Sequence, residues 1–102
     1  MTDHVITGTL EVTVPDPNTP VAIGGSNTWF SMLTVIGYKA PRTPNTGTVW
    51  LQVEADTGSI GIPIEPGQVA SWSSPGDKAV RASDFYIDVA NADDGAMIIY
   101  SI

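Results

Sequence analysis

Between Ile6 and Val14, Ile6, Leu10, Val12 and Val14 share one parity with Gly8 in line, and Thr7, Thr9, Glu11 and Thr13 take the other. Side chains of a strand point to alternate faces, so this pattern predicts a strand with one buried and one wet side. Pro15-Asp16-Pro17-Asn18 ends it, because proline cannot donate to a ladder. A short extended piece is expected over Val21 to Ile23, before Gly24-Gly25-Ser26-Asn27. Thr28 to Tyr38 then reads as one strand that is apolar on both sides, with Trp29, Leu33 and Val35 against Phe30, Met32 and Ile36. Such a strand either lies centrally or presents one face to another subunit.

Lys39 to Gly47 reads as a loop, and Thr48 to Glu54 as a strand with Val49, Leu51 and Val53 inward and Trp50 and Gln52 outward. Asp56-Thr57-Gly58 is expected to turn the chain. Ile60, Ile62 and Ile64 alternate beyond it, with Pro63 marking an edge or a bulge. Glu65-Pro66-Gly67 has the signature of a type II turn, with proline then glycine at the central positions. Val69 to Trp72 reads as a short strand and Ser73 to Lys78 as a polar loop. Phe85, Ile87 and Val89 form one face of the next strand, opposite Tyr86 and Asp88. Asn91 to Gly95 is expected to be a hairpin loop closed by a glycine at positive φ, before a last strand from Ala96 to Ile102. No segment has the composition of an amphipathic helix. The expected fold is all-β, an antiparallel β-sandwich (Ig-like or jelly-roll-like) or a small barrel of seven to eight strands, in a single domain over residues 1–102.

Composition narrows the function. Eleven acidic and four basic side chains leave a net charge of -7, and the four, Lys39, Arg42, Lys78 and Arg81, form no stripe. Nucleic-acid binding needs a positive surface, so no nucleic-acid partner is expected. No cysteine is present, which removes disulfides and thiolate chemistry. Met1-Thr2-Asp3-His4 lacks the start of a secretory signal, and no apolar run nears the ~20 residues of a membrane helix. The expectation is a product made in the cytoplasm with no membrane partner.

Candidate chemistry is sparse. His4 is the one histidine and sits near the N-terminus, so a held imidazole for a catalytic triad is not expected. The acids Asp16, Asp56, Glu65, Asp77, Asp93 and Asp94 fall in turns, where aspartate caps backbone groups, and turn use is favoured over paired-carboxylate catalysis. Asn91, Asp93 and Asp94 offer hard oxygens to Ca²⁺, without the spacing of an EF-hand. No catalytic residue, cofactor or metal ligand is assigned. The aromatic residues are the better candidates. Trp50 points outward by alternation and could pack under a loop, fill a neighbouring subunit's pocket or stack on a sugar. Trp29, Trp50, Trp72, Tyr38 and Tyr86 are taken as candidate interface residues, with Tyr100 a further aromatic.

Asn45-Thr46-Gly47-Thr48-Val49-Trp50-Leu51, followed by Gly61-Ile62-Pro63-Ile64-Glu65-Pro66-Gly67-Gln68, resembles a pattern of small accessory proteins of bacteriophage particles. That pattern runs "N-T-G-x-V-aromatic-aliphatic", then "G-x-P-[IL]-x-P-G-[EQ]", then a strand into which Ala82 to Ile87 fits. It covers Asn45 to Ile102, and Gln52 to Asp56 departs from the glycine-rich stretch found there in the family. The resemblance implies a non-enzymatic virion protein of the capsid decoration, head or tail fibre type. Its implied partners are a major capsid or tail protein and copies of itself in a homo-oligomer. Residues Met1 to Val5 and Ser101-Ile102 would be free to add strands to neighbours. The alternative is a carbohydrate-binding β-sandwich using exposed Trp and Tyr.

Overall fold

Alternation becomes burial along the first strand. In β1 (Thr7–Thr13), Val12 is buried and Leu10 half-buried, while Thr9, Glu11 and Thr13 face solvent; Val14 follows, fully buried. The computed structural model describes residues 7–53, 61–74, 76 and 78–101. His4, Ile6, the turn at Asp56-Thr57-Gly58, Ile60, Asp77 and Ile102 lie outside the described residues.

The chain is all-β. After β1 come β2 (Val21–Ala22), β3 (Trp29–Phe30), β4 (Met32–Ile36), β5 (Tyr38–Lys39) and β6 (Thr43–Pro44). Next are β7 (Val49–Val53), β8 (Ile62–Ile64), β9 (Val69–Ser73), β10 (Val80–Arg81), β11 (Phe85–Val89) and β12 (Gly95–Ser101). A 3-10 turn, Ala82–Asp84, precedes β11. Eight strands form two antiparallel four-stranded sheets, ordered β1-β12-β4-β9 and β2-β11-β7-β8, with two short ribbons, β3/β10 and β5/β6. Of the links between successive main strands, only β7 to β8 stays within one sheet. This is the strand order of a jelly roll, in which chain neighbours sit in opposite sheets. An Ig-like order would instead keep consecutive strands side by side.

The inner faces carry the core. Phe30, Trp72, Phe85 and Tyr100 cluster at one end, with Trp72 and Phe85 centroids 4.8 Å apart and Phe30 and Phe85 5.1 Å apart. At the other end Val49, Val89 and Ile64 stand in one row of the second sheet, opposed by Val12, Val14 and Ala96. Burial of such side chains contributes about 1.5–3 kcal/mol each and supplies the main stabilising term.

Three expectations need correction. Thr28 to Tyr38 is not one strand. Phe30 pairs with Val80 outside the main sheets, and Ser31 links two neighbours, its N–H donating to Ser101 and its carbonyl accepting from Ser74. Gly37 breaks the far end, because a Cβ there would sit 2.6 Å from the Glu65 carbonyl oxygen. Within the expected loop at Lys39 to Gly47 the chain forms the β5/β6 ribbon, with a cis Ala40–Pro41 bond. Asn91 to Gly95 is not a hairpin but an arch from the second sheet to the first. Its positive-φ residue is Asp93, at 67°, which aspartate tolerates, rather than Gly95. Gly95 is instead required by space, since a Cβ would run into the Val12 carbonyl. The Glu65–Gln68 turn is as expected: Gln68 N–H donates to Glu65 O at 2.9 Å and Gly67 has φ 77°.

Candidate interaction surfaces

Asp94 is fully buried at the crest of the arch. Its carboxylate accepts from Thr46 N–H at 3.0 and 3.1 Å, from Gly47 N–H at 3.0 Å and from the Thr46 hydroxyl at 3.0 Å. Lys39 Nζ lies 3.8 Å away. Asn45, also buried, makes a reciprocal pair with Gly95, donating to its carbonyl at 2.7 Å and accepting from its N–H at 3.0 Å. Asn91 donates to the Thr46 hydroxyl at 3.0 Å. Asn45-Thr46-Gly47 is thus a latch that ties the entry of β7 to the entry of β12. A buried carboxylate engaged by three protein donors and a nearby ammonium is committed to the fold rather than offered to a cation. Among the described residues no group of three or more His, Asp or Glu side chains is placed to hold a metal ion.

The five aromatic candidates do not form one patch. Trp72 points inward, half-buried, with its ring packed against both Phe30 and Phe85, so it belongs to the core margin rather than to an outer face. The sequence could not place it, because Val-Ala-Ser-Trp-Ser offers an apolar residue on either parity. Trp29 is 43% exposed on the β3/β10 ribbon, with the Arg81 guanidinium 5.3 Å from its ring centroid. Tyr38 is half-buried on the β5/β6 ribbon opposite Pro44. Trp50 and Tyr86 share a surface, the outer face of the second sheet. Trp50 stands opposite Asp88 and Pro63, and Tyr86 opposite Gln52 and Ala22. Asp88 is partly occupied, accepting from the N–H groups of Asn18 at 3.0 Å and Val89 at 2.8 Å.

The larger surface is one that the sequence reading only half found. The outer face of the first sheet carries Met32 and Ile36 on β4, Met97 and Ile99 on β12, and Val69 on β9. Met97, Ile36 and Val69 stand in one cross-strand row. Met32 is 53% exposed, Val69 60% and Ile99 44%. Hydroxyls lie beside and among them: Thr9 and Thr13 on β1, Ser71 and Ser73 on β9, and Thr34 in the middle of β4 between Ile99 and Ser71. Over one corner lies an open hollow of about 370 Å³, lined by Ile36, Met97 and Ile99 with Glu11 and Arg42 at its edges.

The chain matches no protein-family model, no curated protein and no solved structure.

The geometry therefore has to speak for itself. A solvent-facing side of an antiparallel sheet ordinarily reads polar. Here the two central strands put methionine and isoleucine there. Exposed apolar residues gathered on one sheet face make that face the candidate contact surface.

Proposed function

We propose that this chain is a non-enzymatic structural protein of a bacteriophage particle, a capsid decoration or head- or tail-associated component made in the host cytoplasm. It acts through protein–protein contacts with a major capsid or tail protein and with copies of itself. The observation that carries the contact role is the apolar outer face of the β1-β12-β4-β9 sheet. The resemblance over Asn45 to Ile102 carries the particle assignment, and the latch and turn give its two motifs a physical role. Asn45-Thr46-Gly47 grips Asp94 and Gly95, and Pro66-Gly67 makes the turn into β9. Mass spectrometry of particles purified from the encoding phage tests the reading. The expected result is this chain at a copy number fixed relative to a major virion protein. Its absence from particles that are otherwise complete counts against the proposal.

A second reading is favoured by Trp50. An indole on an open sheet face, with the Gln52 amide beside it and the Asp88 carboxylate across from it, has the parts of a sugar-stacking platform. A glycan array comparing the chain with Trp50→Ala decides it. Binding that Trp50→Ala abolishes supports the platform, and no signal above background removes it.

A further inference from the structure

We propose that the outer face of the β1-β12-β4-β9 sheet closes against the same face of a second copy of this chain, with Glu11 of each protomer set against Arg42 of the other. The inference rests on the reading that the chain works through protein–protein contacts, and it names the face, the partner and the pairing. An apolar face alone does not say what covers it. The charges at its corner do.

Glu11 and Arg42 are both exposed at the hollow over Met97 and Ile99. Among the described residues the one ion pair is Lys39 with Asp94, and neither Glu11 nor Arg42 forms one there. The face therefore holds one acid and one base on a chain whose net charge is -7. Each copy carries the same charge of -7, so long-range repulsion opposes the pairing, and what selects a second copy is the local match of one acid and one base at the same corner. In a twofold contact, if residue i touches residue j of the partner, then j touches i, so Glu11 against Arg42 arises twice. The hydroxyls suit self-pairing for the same reason. Thr34 at the middle of the face, with Thr9, Ser71 and Ser73 toward its edges, can donate or accept as the facing group demands. Met32 and Met97, in the rows to either side of Thr34, adapt to an imperfect fit.

Size sets the strength. Four strands about 4.8 Å apart and some five residues long at about 3.4 Å give a face of roughly 19 by 17 Å. That is smaller in projection than the roughly 800 Å² per partner of a standard interface, so a dissociation constant on the order of 10 μM is expected. On a particle, many anchored copies would raise the local concentration well above it.

Sedimentation equilibrium over a concentration series tests the proposal. The wild-type chain is expected to be mostly dimeric at about 100 μM. Ile99→Lys and Val69→Lys, both at exposed positions, are expected to remain folded by circular dichroism and monomeric throughout. Glu11→Arg and Arg42→Glu are each expected to weaken the dimer about tenfold, and the two together to restore it to within about threefold of wild type. A wild-type monomer at about 100 μM overturns the proposal. So does a dimer indifferent to both lysine variants, or a double charge swap without rescue. The particle assay separates this from the broader reading. A monomeric chain still found in virions removes the paired face and leaves the proposed function standing. A dimeric chain missing from virions does the reverse.

Discussion

Asp94 is the residue on which most backbone geometry converges, and the strength of its contacts can be ranked. Two backbone N–H groups and one hydroxyl reach the carboxylate at 3.0 to 3.2 Å, inside a fully buried site. The Lys39 ammonium is at 3.8 Å and its side chain is partly exposed. Charge-assisted bonds to a buried carboxylate are the stronger term, and leaving their donors unmade costs about 1–3 kcal/mol apiece. A long, solvent-screened ion pair contributes about 0–1 kcal/mol. Asp94→Ala is therefore expected to lose about 3–5 kcal/mol, close to the whole stability of a small domain, and Lys39→Met under about 1 kcal/mol. Urea denaturation of the two variants checks the ranking, and an equal loss for both would show that charge neutralisation, not donor satisfaction, dominates. The acid's turn position was legible, but its partners Asn45, Thr46 and Gly47 were not. They lie more than forty residues away along the chain. Asn45-Thr46-Gly47 stood out as a stretch in the sequence, but nothing local to it showed that it would grip Asp94 and Gly95.

Local rules place each element well where a turn or a period decides, and poorly where the choice of sheet decides. The type II turn before β9 needs only Pro66 and Gly67, and it was read correctly. The arch from β11 to β12 was read as a hairpin, since both use a short polar loop with a glycine. What separates them is sheet membership, which no local pattern carries. The two glycines differ in the same way, and substitution exposes it. At Gly67 a Cβ meets nothing closer than Tyr38 Cε1 at 3.8 Å, so Gly67→Ala faces only the penalty of positive φ, about 1–2 kcal/mol. At Gly95 a Cβ meets the backbone of β1, which would have to leave its ladder with β12. Gly95→Ala is expected to cost about 3 kcal/mol or more. Thermal melts of the pair read the difference directly. The outer apolar face has the same history. Two-sided apolarity in β4 was visible, but joining Met32 and Ile36 to Val69, Met97 and Ile99 required knowing that β4 lies between β9 and β12.

At the scale of the whole molecule, the strand order governs how the chain reaches its fold. β1 pairs with β12, so the first and last strands of the chain lie side by side, and β4 pairs with both β12 and β9. Only β7 and β8 are chain neighbours joined within a main sheet. Nearly every ladder therefore closes a long loop, whose entropy is lost before the contact forms. Among the described residues no α-helix or local hairpin is available to lower that barrier, apart from β7/β8 and the two-residue β5/β6 ribbon. Sandwiches of this kind fold in milliseconds to seconds, far slower than helical bundles of equal length. Refolding after dilution from urea is expected at a rate on the order of 1 s⁻¹ by Trp fluorescence. Trp72 reports the event well, since its ring joins Phe30 from the β3/β10 ribbon and Phe85 from the second sheet, and so senses the closing of the two layers. Recovery of the full Trp72 signal within microseconds, in a chain with Trp29 and Trp50 changed to Phe, would mean that the aromatic end assembles before the long ladders. Loop-closure entropy would then not be what limits this chain.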